Sequence, residues 1–125
     1  FDLKQPVYFA EFDFVLIVRS AKKQRIAVEE LSKFPEVKRD LALLVDKSVT
    51  FHELRNIAFA TEKKLLKRVT LFDVYEGDKL PAGKKSYAVN FILQDTEKTM
   101  SEKAIDAIMQ KLIQQLTKQL GAELR

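Results

Sequence analysis

A single acidic residue between two aromatic residues is the part of this sequence best suited to chemistry. Asp73 lies in the stretch LFDVYEG, directly after Phe72 and two residues before Tyr75. Aromatic and β-branched residues at this density favour a β-strand. An ionised carboxylate only accepts hydrogen bonds. Asp73 is therefore suited to bind a group that presents hydrogen-bond donors.

The composition argues against most kinds of catalytic centre. The chain contains no Cys, which excludes disulfides, thiolate metal sites and cysteine nucleophiles and is compatible with a reducing cytoplasm. Its single histidine is His52, so a histidine-based zinc site or a catalytic triad is not expected. We therefore expect no catalytic residue, no metal site and no cofactor in this chain, and we interpret Asp73 as part of a binding site.

Size and charge indicate a small folded domain with room for an anionic partner. The 125 residues are 46% hydrophobic and include nine Phe, which is enough to form a core. The net charge of +4 permits an anionic partner but does not require one. The longest apolar run, Phe14 to Val18, is far too short to span a bilayer, so no membrane contact is expected. The first residue is Phe1 rather than Met, which suggests a fragment of a longer protein.

The periodicity of the apolar residues predicts a mixed fold. Before Phe34-Pro35, where we place a module boundary, we expect one strand at 7–18 and a basic loop at 19–25. After it, the expected order is strand 37–46, helix 48–64, strand 66–76, strand 84–95, a helix that ends at Gly121, and a short strand at 122–125. Thr50 with Glu53 and Thr99 with Glu102 have the spacing of capping boxes at the two helix starts.

This βαββαβ order is that of a ferredoxin-like α+β sandwich. Right-handed crossovers place both helices on one face of a four-stranded antiparallel sheet and leave the other face open. Strand alternation predicts Leu71, Asp73 and Tyr75 on one side of their strand, and Phe72 and Val74 on the other. By the same argument, the open side of the neighbouring strands carries small and polar residues: Lys38, Asp40, Ala42, Ser86, Ala88 and Asn90, with Arg125 pointing outward.

Several short motifs, in a fixed order, resemble those of a known family. The sequence is similar to the ferredoxin-fold anticodon-binding domain at the C-terminus of phenylalanyl-tRNA synthetase. The resemblance covers roughly residues 34–125 and is carried by FPEVKRDLA (34–42), LFDVYEG (71–77), GKKSYA (83–88), TMSE (99–102) and the terminal LR. The segment PVYFAEFDFVLIV resembles the end of the catalytic-like core module that precedes this domain in the bacterial β subunit.

The resemblance implies a role in an enzyme whose chemistry lies elsewhere. Residues 1–33 would be the end of the preceding module and a linker, and residues 34–125 the anticodon-binding domain. The family joins phenylalanine to its tRNA with ATP and Mg²⁺ as an α2β2 assembly, and its aminoacylation site lies in the α subunit. The expected partners are therefore tRNA(Phe) and an α subunit, in the cytoplasm.

The resemblance also implies a use for Asp73. The tRNA for phenylalanine begins its anticodon with guanine, whose Watson–Crick edge presents two adjacent donors, N1–H and N2–H₂. We expect Asp73 to accept from this edge and Tyr75 to stack near the base. The other residues expected to contact RNA are Lys84, Lys85, Ser86, Asn90 and Arg125.

Other interpretations remain open from the residues alone. Domains of similar βαββαβ form bind small regulatory molecules, although the first strand–helix turn here, VDKSVTF, lacks the glycine that such sites usually place there. A docking domain for a partner subunit is a third possibility. Within the sheet, Lys84 and Lys85 could simply be a solvated strand start, and Arg39 with Asp40 could form a structural ion pair at a strand entry.

Overall fold

A computed structural model describes residues 2, 4–21 and 32–125. The chain divides into two compact units, residues 1–31 and 32–125, and each is described by itself. Among the described residues, no helix is both long and apolar enough to cross a membrane.

The second unit has the predicted order of strands and helices. Its elements are β1 (Val37–Asp46), α2 (Phe51–Thr61), β2 (Leu66–Tyr75), β3 (Lys84–Leu93), α3 (Glu102–Leu120) and β4 (Glu123–Leu124). The strands form one sheet in the order β2-β3-β1-β4, and every neighbouring pair is antiparallel. This arrangement confirms the ferredoxin-like α+β fold.

The core lies between one face of the sheet and the two helices α2 and α3. Alternate residues of the central strands are almost fully buried, and they pack with the apolar stripes of both helices. The strands contribute Leu43, Val45, Leu66, Val69, Tyr87, Val89, Phe91 and Leu93, and the helices contribute Leu54, Ala58, Ile105, Met109, Leu112 and Leu116. Both helices therefore cover the same face, and the residues between these positions lie on the opposite face.

The helix ends are fixed by short-range hydrogen bonds. At α2 the capping box is confirmed, because the Glu53 amide donates to Thr50 Oγ1 and the Thr50 amide donates to Glu53 Oε2. The hydrogen bonds that the Thr50 amide and hydroxyl donate to Glu53 Oε2 lower the pKa of the Glu53 carboxyl below its ordinary value. At the other end of the chain, Gly121 ends α3 with a φ of 60°, a left-handed conformation that glycine adopts without strain.

The start of α3 differs from the prediction. Its N-cap is Ser101, whose hydroxyl accepts from the Ala104 amide, and not Thr99. The helix begins at Glu102, so this residue cannot be the third residue of a capping box. Its carboxylate instead lies 2.6 Å from the Arg39 guanidinium. Thr99 and Ser101 could both cap a helix. The capping-box spacing favoured Thr99, but the structure uses Ser101.

The strand predicted at 7–18 is wrong, because residues 7–13 form neither strand nor helix and a helix, α1 (Phe14–Ala21), begins at Phe14. Asp13 explains the difference, since its carboxylate accepts from the Leu16 amide and its backbone carbonyl accepts from the Ile17 amide. This N-terminal cap favours a helix over the strand that composition suggests. The loop predicted at 19–25 is wrong for residues 19–21, which are helical, and residues 22–25 lie outside the described residues.

Candidate nucleic-acid interface

The open face is the sheet surface opposite α2 and α3, within residues 32–125. The strand registers arrange its side chains in four rows. From one end of the sheet to the other, these rows are Tyr75–Ser86–Leu44, Asp73–Ala88–Ala42, Thr70–Asn90–Asp40 and Arg68–Ile92–Lys38. The side chains at the centre of the face, Ala42 and Ala88, are therefore small, and larger polar and aromatic side chains lie on both sides of them.

A β-bulge at Phe72 changes which residues of β2 reach the open face. Leu71 pairs with Val89 and Asp73 pairs with the next residue of β3, Ala88, so Phe72 is the extra residue. Leu71 accordingly packs against the core, whereas Phe72 lines the open face and is 59% exposed. The predicted grouping of Leu71 with Asp73 and Tyr75, and of Phe72 with Val74, is wrong because simple alternation does not continue through a bulge.

Tyr75 is held by two contacts. The Arg125 guanidinium carbon lies 5.5 Å from the centroid of the Tyr75 ring, a cation–π arrangement. At the hydroxyl end, Gly77 leaves the space that the side chain needs, since a Cβ added to Gly77 would lie 2.5 Å from the Tyr75 oxygen. Tyr75 as a whole is 37% exposed, so its neighbours position it while part of its surface remains accessible.

Arg125 reaches the Tyr75 ring from the opposite edge of the sheet. Its backbone amide donates to the Ala42 carbonyl at 3.0 Å, which places Arg125 beside β1, whereas Tyr75 lies on β2 at the opposite edge. The side chain can cross because Ala42 and Ala88 are small. Ser86, which pairs with Tyr75 in the sheet, is only 5% exposed. Ser86 is therefore on the predicted face but nearly inaccessible.

Asn90 and Asp40 form a polar pair in the next row. Asn90 Nδ2 donates to Asp40 Oδ1 at 2.6 Å. The predicted ion pair between Arg39 and Asp40 is wrong, because neighbouring residues of a strand point to opposite faces. Arg39 lies on the helix side, where it pairs with Glu102, and Asp40 lies on the open face.

Lys84 and Lys85 begin β3, and their side chains point to opposite faces of the sheet because they are neighbours in a strand. Lys84 Nζ lies 3.2 Å from Asp46 Oδ1 and 4.0 Å from Glu123 Oε1, so its charge is already partnered. Lys85 Nζ donates to the Lys47 carbonyl at 2.8 Å and lies over the ring of Tyr87, a core residue. Lys85 therefore lies on the helix side of the sheet, away from the open face.

Sequence reasoning missed two cations as candidate contacts. Lys38 and Arg68 lie at opposite ends of one open-face row and cover Ile92, which is buried outside the main core. Neither forms an ion pair with a described residue. Strand alternation alone places Lys38 on the open side of the sheet. Which lysine forms ion pairs depends on the fold, because Lys84 is paired with Asp46 and Glu123, whereas Lys38 has no ion pair with a described residue.

The comparison with protein families decides what kind of domain carries this face. A family model described as "Ferredoxin-fold anticodon binding domain" matches residues 32–125. The chain belongs to this family. The resemblance found in the sequence is thereby confirmed, and the domain's open face is a candidate surface for RNA.

Relatives of this anticodon-binding domain occur in a much longer protein. The chain is 54% identical over its full 125 residues to "Phenylalanine--tRNA ligase beta subunit" of Bacteroides fragilis and of Porphyromonas gingivalis. It is 36% identical over the same length to the protein of that name from Syntrophotalea carbinolica. In each case the chain spans only 15% of the length of the relative.

Proposed function

We propose that the open face of this domain binds the anticodon loop of tRNA(Phe), as part of the β subunit of a phenylalanine–tRNA ligase. The single observation that carries the proposal is the placement of Asp73 and Tyr75 together on the face that the helices leave uncovered. A fixed aromatic ring and an acceptor beside it are the elements that single-stranded RNA recognition uses.

The longer protein would supply the chemistry. We propose that it acts in an α2β2 assembly that uses ATP and Mg²⁺, with residues 1–33 at the end of a preceding module and residues 34–125 as the anticodon-binding domain. Among residues 2, 4–21 and 32–125, no cluster of three or more metal-ligating side chains occurs. We propose that the residues of this chain contribute to the reaction by binding and orienting tRNA.

Asp73 suits the Watson–Crick edge of guanine. It is exposed and lies opposite Ala88, whose small side chain leaves space beside the carboxylate. Both of its oxygens only accept, and guanine N1–H and N2–H₂ are adjacent donors. The charge of Asp73 would repel phosphate, and the cations Lys38, Arg68 and Arg125 on the same face offset that repulsion.

The seven residues expected to contact RNA now separate into two groups. Asp73, Tyr75, Asn90 and Arg125 lie on the open face with accessible surface, and we propose that they contact RNA directly. We assign no direct contact to the other three, because Ser86 is nearly buried, the charge of Lys84 is paired with Asp46 and Glu123, and Lys85 lies on the other side of the sheet. Direct contacts are thus assigned to the four residues that keep accessible surface on the open face.

Replacing Asp73 by Asn should weaken binding of guanine specifically. The amide keeps the shape of the carboxylate but replaces one acceptor with a donor, which then faces a donor of guanine. We expect Asp73→Asn to cost about 1–3 kcal/mol in binding an anticodon hairpin of tRNA(Phe). We also expect the variant to lose the wild-type preference for guanine over inosine, which lacks the N2 amino group. Fluorescence anisotropy with both hairpins measures these affinities.

A matched control separates hydrogen bonding from charge. Asp78 is exposed in the loop after β2, so Asp78→Asn makes the same change of charge away from the open face. If Asp73→Asn and Asp78→Asn change the affinity equally, or if both hairpins respond equally to Asp73→Asn, Asp73 does not read guanine. A rise in melting temperature on adding an amino acid, without RNA binding, would support a regulatory domain instead.

A further inference from the structure

A cavity lies at the opposite end of the sheet from Tyr75. The turn between α2 and β2 forms one part of its wall, and the connection from β3 to α3 forms another. Its volume is about 430 Å³. Leu66 and Leu93 pair at this end of β2 and β3, whereas Tyr75 and Ser86 pair at the other end. The cavity is therefore separate from the candidate RNA site.

The wall of this cavity contains a buried carboxylate, Asp95. The residue is only 7% exposed, and its Oδ1 accepts from the Glu97 amide at 2.9 Å, whereas no described residue donates to Oδ2. Among the described residues, no fully enclosed side-chain oxygen lacks a hydrogen-bond partner, so Oδ2 keeps access to the cavity. A carboxylate in such a place is stabilised by a donor, and most strongly by a cation. A ligand of this cavity should therefore present a positively charged donor.

Apolar and basic side chains complete the cavity wall. Leu65, Met100 and Ala104 supply apolar surface, which favours a ligand with a hydrocarbon group. Lys98 also lines the cavity and forms no ion pair with a described residue, whereas the Lys64 ammonium is already paired. Lys98 is therefore the cation that can meet an anionic group of the ligand.

We propose that this cavity binds a free α-amino acid with an apolar side chain. Asp95 accepts from the ammonium group, and Lys98 faces the carboxylate. The apolar side chain lies against Leu65 and Met100. An α-amino acid carries both charged groups on one carbon atom, so it matches a buried carboxylate and a lysine in the same cavity. The site is distinct from the turn between β1 and α2, which lies at the other end of the sheet.

The two methionines of the chain give a direct test. Met100 lines the cavity, whereas Met109 is buried in the core and serves as an internal reference. In a chain labelled with ¹³C at methionine methyl groups, titration with L-leucine should shift the NMR signal of Met100 and leave that of Met109 in place, with a Kd in the millimolar range. Isocaproate, which lacks the ammonium group, and leucinamide, which lacks the carboxylate, should each bind about tenfold more weakly.

Variants assign the two charged contacts. Asp95→Asn keeps an oxygen that can accept from the Glu97 amide but removes the charge. We expect it to bind L-leucine about tenfold more weakly and isocaproate no more weakly than the wild-type chain does. Lys98→Ala should weaken the binding of L-leucine but not that of leucinamide. Asp78→Asn makes the same change of charge as Asp95→Asn in the loop after β2 and should bind L-leucine as the wild-type chain does.

Three results would overturn the inference. They are no shift of Met100 with L-leucine, equal affinities of Asp95→Asn and the wild-type chain for L-leucine, and equal binding of leucinamide and L-leucine, which would indicate a peptide N-terminus as the ligand. If a circular dichroism melt shows that Asp95→Asn is unfolded, Lys98→Ala decides, because Lys98 is exposed. Titration with the anticodon hairpin tests the open face alone, so the failure of either proposal leaves the other in place.

Discussion

The variant Tyr75→Ala should bind the anticodon hairpin of tRNA(Phe) with a free energy about 1–3 kcal/mol less favourable than the wild-type chain, the value of one base stacked on an aromatic ring. This range corresponds to a roughly 5- to 150-fold higher Kd. The loss includes the cation–π contact, because Arg125 would no longer be held over the site. Fluorescence anisotropy at fixed salt measures the effect.

Two controls show whether the ring or the position matters. Tyr75→Phe keeps the aromatic ring and should keep most of the affinity. Tyr8→Ala removes another exposed tyrosine, from the first unit, and should leave affinity unchanged. If Tyr75→Ala binds as tightly as the wild-type chain, or if Tyr8→Ala weakens binding as much, the stacking role of Tyr75 is wrong.

The largest effect on stability is expected from Phe91→Ala. Phe91 is fully buried at the centre of β3, between its partners Val69 on β2 and Arg39 on β1, and packs in the core beneath both helices. Removing a buried ring typically costs about 3–5 kcal/mol in the free energy of unfolding. Domains of this size have only about 5–15 kcal/mol in total. We therefore expect the urea midpoint of Phe91→Ala to fall sharply.

The same substitution at Phe72 is the matched control. Phe72 lies on the open face and is more than half exposed, so Phe72→Ala should lower the free energy of unfolding far less than Phe91→Ala. Its main effect should appear in RNA affinity. Equal losses of stability for the two variants would show that the assignment of the two sheet faces is wrong.

Most of this fold follows from the alternation of apolar residues. In β1 and β3 the pattern is uninterrupted, and it gave Leu43, Val45, Val89 and Phe91 on the helix side as the structure has them. These strands are central and one face is fully buried, so the hydrophobic pattern specifies the register strongly. The stripe of α3 and its end at Gly121 followed from helical spacing in the same way.

The parts that could not be predicted depend on contacts between distant residues. The edge strand β2 changes register twice, between Leu66 and Arg68 and at Phe72, and no local residue such as glycine marks either change. The ion pairs of Lys84 and the placement of Arg125 over Tyr75 join residues that are far apart in the chain. The composition of 7–18 suggested a strand, whereas the cap at Asp13 gives α1 in the structure.

The candidate site was consequently predicted in part. Asp73, Tyr75 and Arg125 were placed on one face from alternation and from the family resemblance, and the structure brings them together on the open face. Phe72 was assigned to the other side because the bulge was not visible. Lys38, which was placed on the open side, was not recognised as a candidate contact.

The central claim is that RNA lies on the open face. Two alanine methyl groups report on it directly, since Ala42 and Ala88 lie at its centre. Ala60 and Ala107 are exposed on α2 and α3 and serve as internal references. In a chain labelled with ¹³C at alanine methyl groups, titration with the anticodon hairpin of tRNA(Phe) should shift the NMR signals of Ala42 and Ala88 and leave those of Ala60 and Ala107 in place. Shifts confined to Ala60 and Ala107 would contradict the account.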